Sequence, residues 1–413
     1  MNGEQSKNKK TIVHFLFMSG CESGRAECLV MVNCMVADGP ETGRHAWIDA
    51  LRVCAGVSMV GLHVTADAQG QPFPDADPAA RLAPMVLRAL LYTARTELFL
   101  MISVMLLVIA LARRPRGYGT VIVQQARRLL VPYAFWTLFY AVFNLLKAQA
   151  FGYQAQSWAA LGQPLTWVGY FVLGDVKYHM HFIPTLFAML LFYPVFQMAE
   201  KHPSLGGMVV VGLVVKQWLD PMAYAAFWGT ETLGYVVRAI KVLSYLGYGL
   251  AAGAVVGLWR RTTPEQRTEW VGPVLAFVGV LFALKLMVTL QVAAQGQWIF
   301  DHPFGYWADY LMPVGLLLIA LCWAQRKWPR WVSRIAKYAF GLYLCHPIFL
   351  DLIEMFLADQ VLTPSQSVAA KLAWTLPATS LFVLALSRSG WTAWTVGLGP
   401  LPGMAWPRIP QKL

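Results

Sequence analysis

Apolar runs recur along the chain from about residue 47 onward, separated by short polar segments. Each is roughly 17 to 25 residues long, the length at which a helix crosses about 30 Å of hydrocarbon. Ten such runs predict spans at 47–66, 88–111, 129–147, 181–199, 206–219, 236–258, 271–293, 307–324, 338–357 and 367–387. The fifth is short, and the apolar stretch from Trp167 to Leu173 adds a candidate re-entrant or interfacial helix. The expected fold is all-α, a polytopic transmembrane helix bundle of about ten spans. Trp158, Trp167, Trp298, Trp307, Trp328 and Trp331 near the predicted helix ends suit an interfacial belt.

Residues 1–43 break this pattern, with Lys7, Lys9 and Lys10, a short HFLFM run and no apolar core leading to a small-residue cleavage site. They read as a disordered tail, or as the result of a start assigned upstream of Met31 or Met35. The membrane domain is expected over 44–390, with a C-terminal tail over 391–413.

Composition agrees. Hydrophobic residues make up 57% of the chain and charged residues 13%, with a mean hydropathy of +0.50, far from the roughly 25% charge of a soluble domain. A net charge of +12 invites a nucleic-acid reading, but the cations sort by loop. Arg113, Arg114, Arg116, Arg127 and Arg128 lie in 112–128, Arg260, Arg261 and Arg267 in 259–270, and Arg326, Lys327, Arg330, Arg334 and Lys337 in 325–337. The first opposite loop carries Asp67, Asp75 and Asp77 against Arg81. With the N-terminus in the cytoplasm these basic loops all face it, and an even number of spans returns the C-terminus there with Arg388, Arg408 and Lys412. Membrane lipid is the expected surroundings, and no nucleic-acid partner is needed. The six cysteines, Cys21, Cys28, Cys34, Cys54, Cys322 and Cys345, form no disulfide pattern and are expected as free thiols.

The first span holds Asp49, Arg52 and His63, ionisable groups whose burial in hydrocarbon costs kilocalories and marks function. From Arg52 to His63 a helix advances about 1100°, so both lie on one face about 16 Å apart, with Asp49 a turn below. In the expected topology Arg52 lies toward the cytoplasm and His63 toward the outside. A basic cytoplasmic entrance suits a phosphorylated donor, and the pantetheine arm of coenzyme A, about 15 to 20 Å, matches that stripe.

The motifs RHAWIDALR (44–52) with His63, RTELFLMIS (95–103), QARRLLVPYAFW (125–136), HMHFIPTLF (179–187) and FGLYLCHP (340–347) follow one another on successive predicted helices. Together they resemble the acyltransferase family 3 membrane proteins over roughly 44–387. That resemblance implies a multi-pass enzyme of a bacterial inner membrane. It implies transfer of an acyl group, usually acetyl and sometimes succinyl, from a cytoplasmic acyl-coenzyme A to a hydroxyl of an envelope or exported glycan or glycolipid. Without a fused hydrolase-like domain the chain is expected to be a stand-alone member.

The resemblance assigns the catalytic histidine to His63 and its paired arginine to Arg52. The family's Arg-x-x-Arg pair is incomplete: Arg128 fills the second position, but Gln125 fills the first, with Arg127 beside it. Glutamine offers phosphate hydrogen bonds but no charge. Ser103-Val104 replaces the usual Ser-Gly of the second helix.

Plainer readings stand beside these. Arg52 can pair with Asp49 at i to i+3, and Arg127 and Arg128 sit where any cytoplasmic loop is basic. Glu97, about 10 to 14 Å into the second helix, either orients His63 or pairs with Arg95. Tyr178, His179 and His181 form a candidate acceptor-facing rim. His179 and His181, at i and i+2, do not share a helical face, so no metal site is expected. His346-Pro347 reads as a helix kink whose histidine is structurally satisfied.

The expected chemistry is hydroxyl acylation, with neutral His63 taking the acceptor proton as its oxygen attacks the thioester. A route through an acyl-histidine is equally open. The rival class is an exporter or flippase of polysaccharide or lipid-linked sugar, which the absence of an evident internal repeat disfavours.

Overall fold

The structure, a computed structural model, describes residues 45–300 and 302–402. The tail expected over 1–43, with Cys21, Cys28 and Cys34, lies outside the described residues, as do Arg408 and Lys412. Among the described residues every regular element is helical. Nine candidate spans occur there, or ten if one bent helix pair counts as a single span.

In chain order the helices are α1 (Ala46–Val64), α2 (Pro78–Leu91), α3 (Thr96–Arg113), α4 (Tyr118–Ala150), α5 (Gln154–Leu161), α6 (Pro164–Val168), α7 (Phe182–Leu190), α8 (Tyr193–Lys201), α9 (Met208–Phe227), α10 (Thr232–Arg261), α11 (Pro264–Glu269), α12 (Val271–Gln295), α13 (Pro303–Cys322), α14 (Arg330–Ala336), α15 (Ala339–Leu357) and α16 (Pro364–Arg388). In hydrocarbon each segment must satisfy its own backbone, which is why the apolar runs become helices. Helices α1, α3, α10 and α15 are mostly buried and form the inner layer, whereas α9, α12 and α16 turn most of their apolar surface outward. Val210, Val214 and Trp218 on α9 and Leu275, Val280 and Leu290 on α12 are exposed accordingly.

Three expected spans are remodelled by local chemistry. The second, expected to begin at 88, is preceded by α2, which starts at Pro78, continues through Pro84 and packs Met85 with Val292 and Ala293 of α12. It reads as loop because it is short and carries Asp77 and Arg81 at its start. The chain leaves the helix at Tyr92 and restarts at Thr96, so Glu97 sits in the first turn of α3 rather than well inside a helix. A carboxylate there faces the positive end of the helix dipole. The fourth span is bent by 64° between α7 and α8, where Pro194 at the start of α8 has no N–H to continue α7. The fifth, expected to be short, runs on to Phe227, and Lys216 pairs with Asp220 one turn along α9 so that the two charges neutralise each other within the helix. The apolar stretch near Trp167 forms a ten-residue helix, Pro164–Leu173.

Close packing of α8 on α10 rests on small residues. Gly249, Gly253 and Gly257 recur every fourth position of α10, and a Cβ on each would collide with the Phe196 ring, the Phe196 carbonyl or the Glu200 carbonyl respectively. The bundle has two chemically distinct ends. At one, His45 before α1 lies 2.9 Å from Arg113 at the end of α3 and against the Trp259 ring of α10, while Arg260 pairs with Glu200. At the other lie His63, the start of α3 and the 174–181 segment. The described part of the region beyond 391 folds back, with Trp136 Nε1 donating to the Thr395 carbonyl at 2.8 Å and Val396 fully buried. Cys54, Cys322 and Cys345 are free thiols.

Gly253→Ala should lower the thermal midpoint of the detergent-solubilised protein, a loss of about 1 to 3 kcal/mol by overpacking. Gly279→Ala, on open α12 surface with nothing within 4 Å of its Cβ, should leave the midpoint unchanged or slightly raised. Equal midpoints for the two variants would refute the helix-contact reading.

Candidate active site

Helix α1 joins the two ends. At the basic end Arg52 reaches Asp49 at 3.3 Å, and Asp49 also accepts from Ser333 Oγ of α14 at 2.7 Å. Arg128 of α4 lies close enough to Arg52 for the two charges to act on each other. Arg127 and Arg128 are exposed and Gln125 is half-buried. Arg52 and Arg128 thus lie within electrostatic reach of each other, with Asp49 as the carboxylate beside Arg52.

At the opposite end His63 opens onto a cavity of about 230 Å³. Its wall combines Met59 and Leu62 of α1 with Tyr92, Arg95, Thr96 and Glu97 at the α2–α3 break, Tyr178, His179 and His181, Lys241 and Tyr245 of α10, Tyr310 of α13 and Tyr343 of α15. Among the described residues neither ring nitrogen of His63 hydrogen-bonds to the protein. The ring packs against Tyr178 at 4.2 Å between centroids and stacks on His346 at 5.3 Å, which fixes its plane while leaving its nitrogens for a ligand. Glu97 does not reach His63. It accepts from the Tyr245 hydroxyl and lies 3.3 Å from Arg95 Nε, and Arg95 in turn reaches Asp309 at 3.1 Å.

The rim residues are held by their backbone. Gly174 at φ +77° makes the turn into the segment, and a Cβ there would lie 2.5 Å from the backbone of His181. Arg238 donates to the Leu173 carbonyl at 2.7 Å, Asn144 to that of Val176 at 2.7 Å, and Tyr343 to that of His179. Lys177 is anchored to Asp351 at 2.5 Å and Asn144 at 3.0 Å. Asp351 and Glu354 of α15 also take Lys147, each at 2.8 Å, and Lys371 reaches Glu354 at 3.2 Å. Two buried carboxylates therefore tie α4, α15, α16 and the rim segment together through three lysines.

His179 packs among His346, Tyr343 and Tyr140, and among the described residues both its ring nitrogens are buried without a partner. Burial, with the His346 and His63 rings beside it, holds His179 well below the usual imidazole range, so it is neutral. His181 turns the other way, toward Lys241 at 3.2 Å. The two histidines diverge, and among the described residues no group of three or more potential ligands could hold a metal ion.

His346 answers Pro347. Proline cannot donate to the carbonyl four residues back, that of Tyr343, and His346 Nδ1 lies 2.8 Å from that oxygen. A carbonyl only accepts, so Nδ1 carries the hydrogen and Nε2 is the bare nitrogen, fully buried without a partner. The helix runs unbroken through Pro347 from Ala339 to Leu357, and the histidine expected to be satisfied is half satisfied and lies against His63.

A family model described as an acyltransferase domain, that of acyltransferase family 3, matches residues 45–394. The chain belongs to this family. It is a multi-pass membrane protein and an acyl-transferring enzyme. No curated protein and no solved structure matches it. Family membership selects acyl transfer over glycan export as the class of activity.

Lys241, Tyr245 and Tyr310 on the cavity wall lie outside every motif, whereas Arg95, Tyr343 and His346 lie within motifs but were assigned no place at the site. Lys241 did carry a signal, an ionisable group inside the apolar run 236–258. The others join the site through contacts between helices far apart in sequence.

Asp351→Ala leaves Lys147 and Lys177 without their common carboxylate and should cost about 3 to 5 kcal/mol, as removal of one member of a buried ion pair does. A lower thermal midpoint and faster proteolysis within 174–181 are expected, with partial recovery on adding Lys177→Met. An unchanged midpoint would show that the network does not hold the segment.

Proposed function

We propose that the protein moves an acyl group, acetyl in the first instance, from coenzyme A to a hydroxyl of an envelope or exported glycan or glycolipid, with His63 as general base. The observation that carries this reading is the cavity at His63. It holds a titratable ring with free nitrogens, fixed by stacking and surrounded by tyrosines that suit the faces and hydroxyls of a sugar. Neutral His63 takes the proton from the acceptor hydroxyl as that oxygen attacks the thioester carbonyl, so no free alkoxide forms in a low-dielectric site. The intermediate then expels the coenzyme A thiolate, a tolerable leaving group given a thiol pKa of about 8.5. Glu97, engaged with Tyr245 and Arg95, shapes the far wall and the local charge.

The donor enters at the basic end. Arg52 and Arg128 would take the nucleotide phosphates, with Arg127 and Gln125 beside them, and the pantetheine arm would run along the three turns of α1, about 16 Å, to His63. This orientation places the basic end and both termini in the cytoplasm of a bacterial inner membrane, in keeping with the clustering of arginines at that end. Label transfer from radioactive acetyl-coenzyme A in inverted vesicles to glycan or lipid is the direct test.

His63→Ala should reduce acyl transfer by on the order of 10²-fold or more at equal abundance in the membrane. Wild-type rates in that variant would exclude His63 as the base. Replacing Arg127 and Arg128 together with glutamine should raise the apparent KM for the donor, more at low salt than at high, with little change for the acceptor. A donor KM that does not move would return both residues to a purely topological role.

A further inference from the structure

Of the two cations on the cavity wall, Arg95 is ion-paired and Lys241, among the described residues, is not. Arg95 has Glu97 and Asp309, Lys285 has Asp309, and Lys216 has Asp220. Lys241 has no carboxylate oxygen within 4.0 Å among the described residues; its contacts are His181 Nε2 at 3.2 Å and the Tyr245 ring at 5.3 Å. The tautomer of His181 follows from its other nitrogen. Nδ1 lies 2.8 Å from the Tyr178 carbonyl, which only accepts, so Nδ1 bears the hydrogen and Nε2 accepts from Lys241. One ammonium hydrogen is thereby used, and the two others are available on the cavity side. Behind them Arg238 spends its guanidinium on the carbonyls of Leu173 and His181 and on Thr185, with no carboxylate in ion-pair range among the described residues. This wall of the cavity carries two cations without a direct ion pair among the described residues, at membrane depth, where a counter-charge arriving with the ligand is worth most.

We propose that the acceptor is anionic, and that Lys241, held by His181, binds its carboxylate or phosphate while His63 faces the hydroxyl to be acylated. The inference rests on the acyl-transfer reading and narrows its acceptor. An ammonium with two available hydrogens and a neutral imidazole behind it makes charge-assisted bonds to an anion, whereas a neutral sugar offers it only weaker ones. The arrangement fixes the sugar at two points: the anion at Lys241 orients the ring, and the acceptor hydroxyl meets His63. It gives His181 a positioning role rather than contact with the reacting atoms.

The test uses full-length protein in phosphatidylcholine liposomes with acetyl-coenzyme A and two acceptors that differ in one group, octyl glucoside and octyl glucuronoside. Wild type should favour the glucuronoside in kcat/KM by on the order of tenfold or more, the size of a charge-assisted contact. Lys241→Met should bring that ratio close to unity, and Lys241→Arg should keep most of it. A wild type that acylates both glycosides equally overturns the anionic acceptor and leaves acyl transfer standing, a result that needs no variant to fold. An equal fall for both acceptors in Lys241→Met, with the ratio unchanged, also overturns it and moves Lys241 to the thioester oxyanion. Transfer to neither glycoside by wild type overturns the acyl-transfer reading together with this one.

Discussion

Asp351, fully buried on α15, is the counter-charge on which the cavity depends. Lys147 from α4 and Lys177 from the rim segment converge on its two oxygens. Ion pairs of this kind contribute little net stability over apolar residues of the same volume, yet breaking one is expensive because the orphaned charge stays buried. Its value here is directional. Lys177 immediately precedes Tyr178 and His179, so wherever Asp351 holds Lys177, the rim follows, and α15 also carries His346 beneath His63. One carboxylate sets both the wall and the floor around the proposed base.

The rim needs such anchoring because it is irregular backbone at the depth of the helix ends. The carbonyls of Val176, His179 and Leu173 are taken by side chains from Asn144, Tyr343 and Arg238, so these backbone groups are satisfied without helix. The same rule governs the breaks in the helices. Pro194 ends α7 for want of a donor, whereas Pro347 passes through α15 because His346 caps the carbonyl it frees.

The separation between the two ends suits a reaction with substrates of opposite character. In the proposed reaction a phosphorylated donor would meet Arg127 and Arg128 at the basic end, and the transfer itself would belong to the tyrosine-rich cavity, where low dielectric strengthens each polar contact. The stacking of His63 on His346 gives the ring a fixed plane at little electrostatic cost, because the His346 nitrogen that bears a hydrogen is already bound to backbone.

Much of this was legible in the chain before folding. Span length follows from the thickness of hydrocarbon and the helical rise, so the ten runs mark the bundle, and the eleven-residue spacing of Arg52 and His63 on one stripe follows from 3.6 residues per turn. Ordered motifs carried the family. Neither argument reaches across helices. That Glu97 turns to Tyr245 rather than His63, that His346 lies under His63, and that Lys241 lacks a carboxylate are consequences of which helices touch. Those contacts are decided by glycines that let α8 approach α10, by prolines that interrupt helices, and by buried charges that must find partners wherever the chain brings them. Periodicity is a property of one helix at a time, whereas charge compensation in a bundle is settled between residues far apart in sequence, as between Lys147 and Asp351, 204 positions apart.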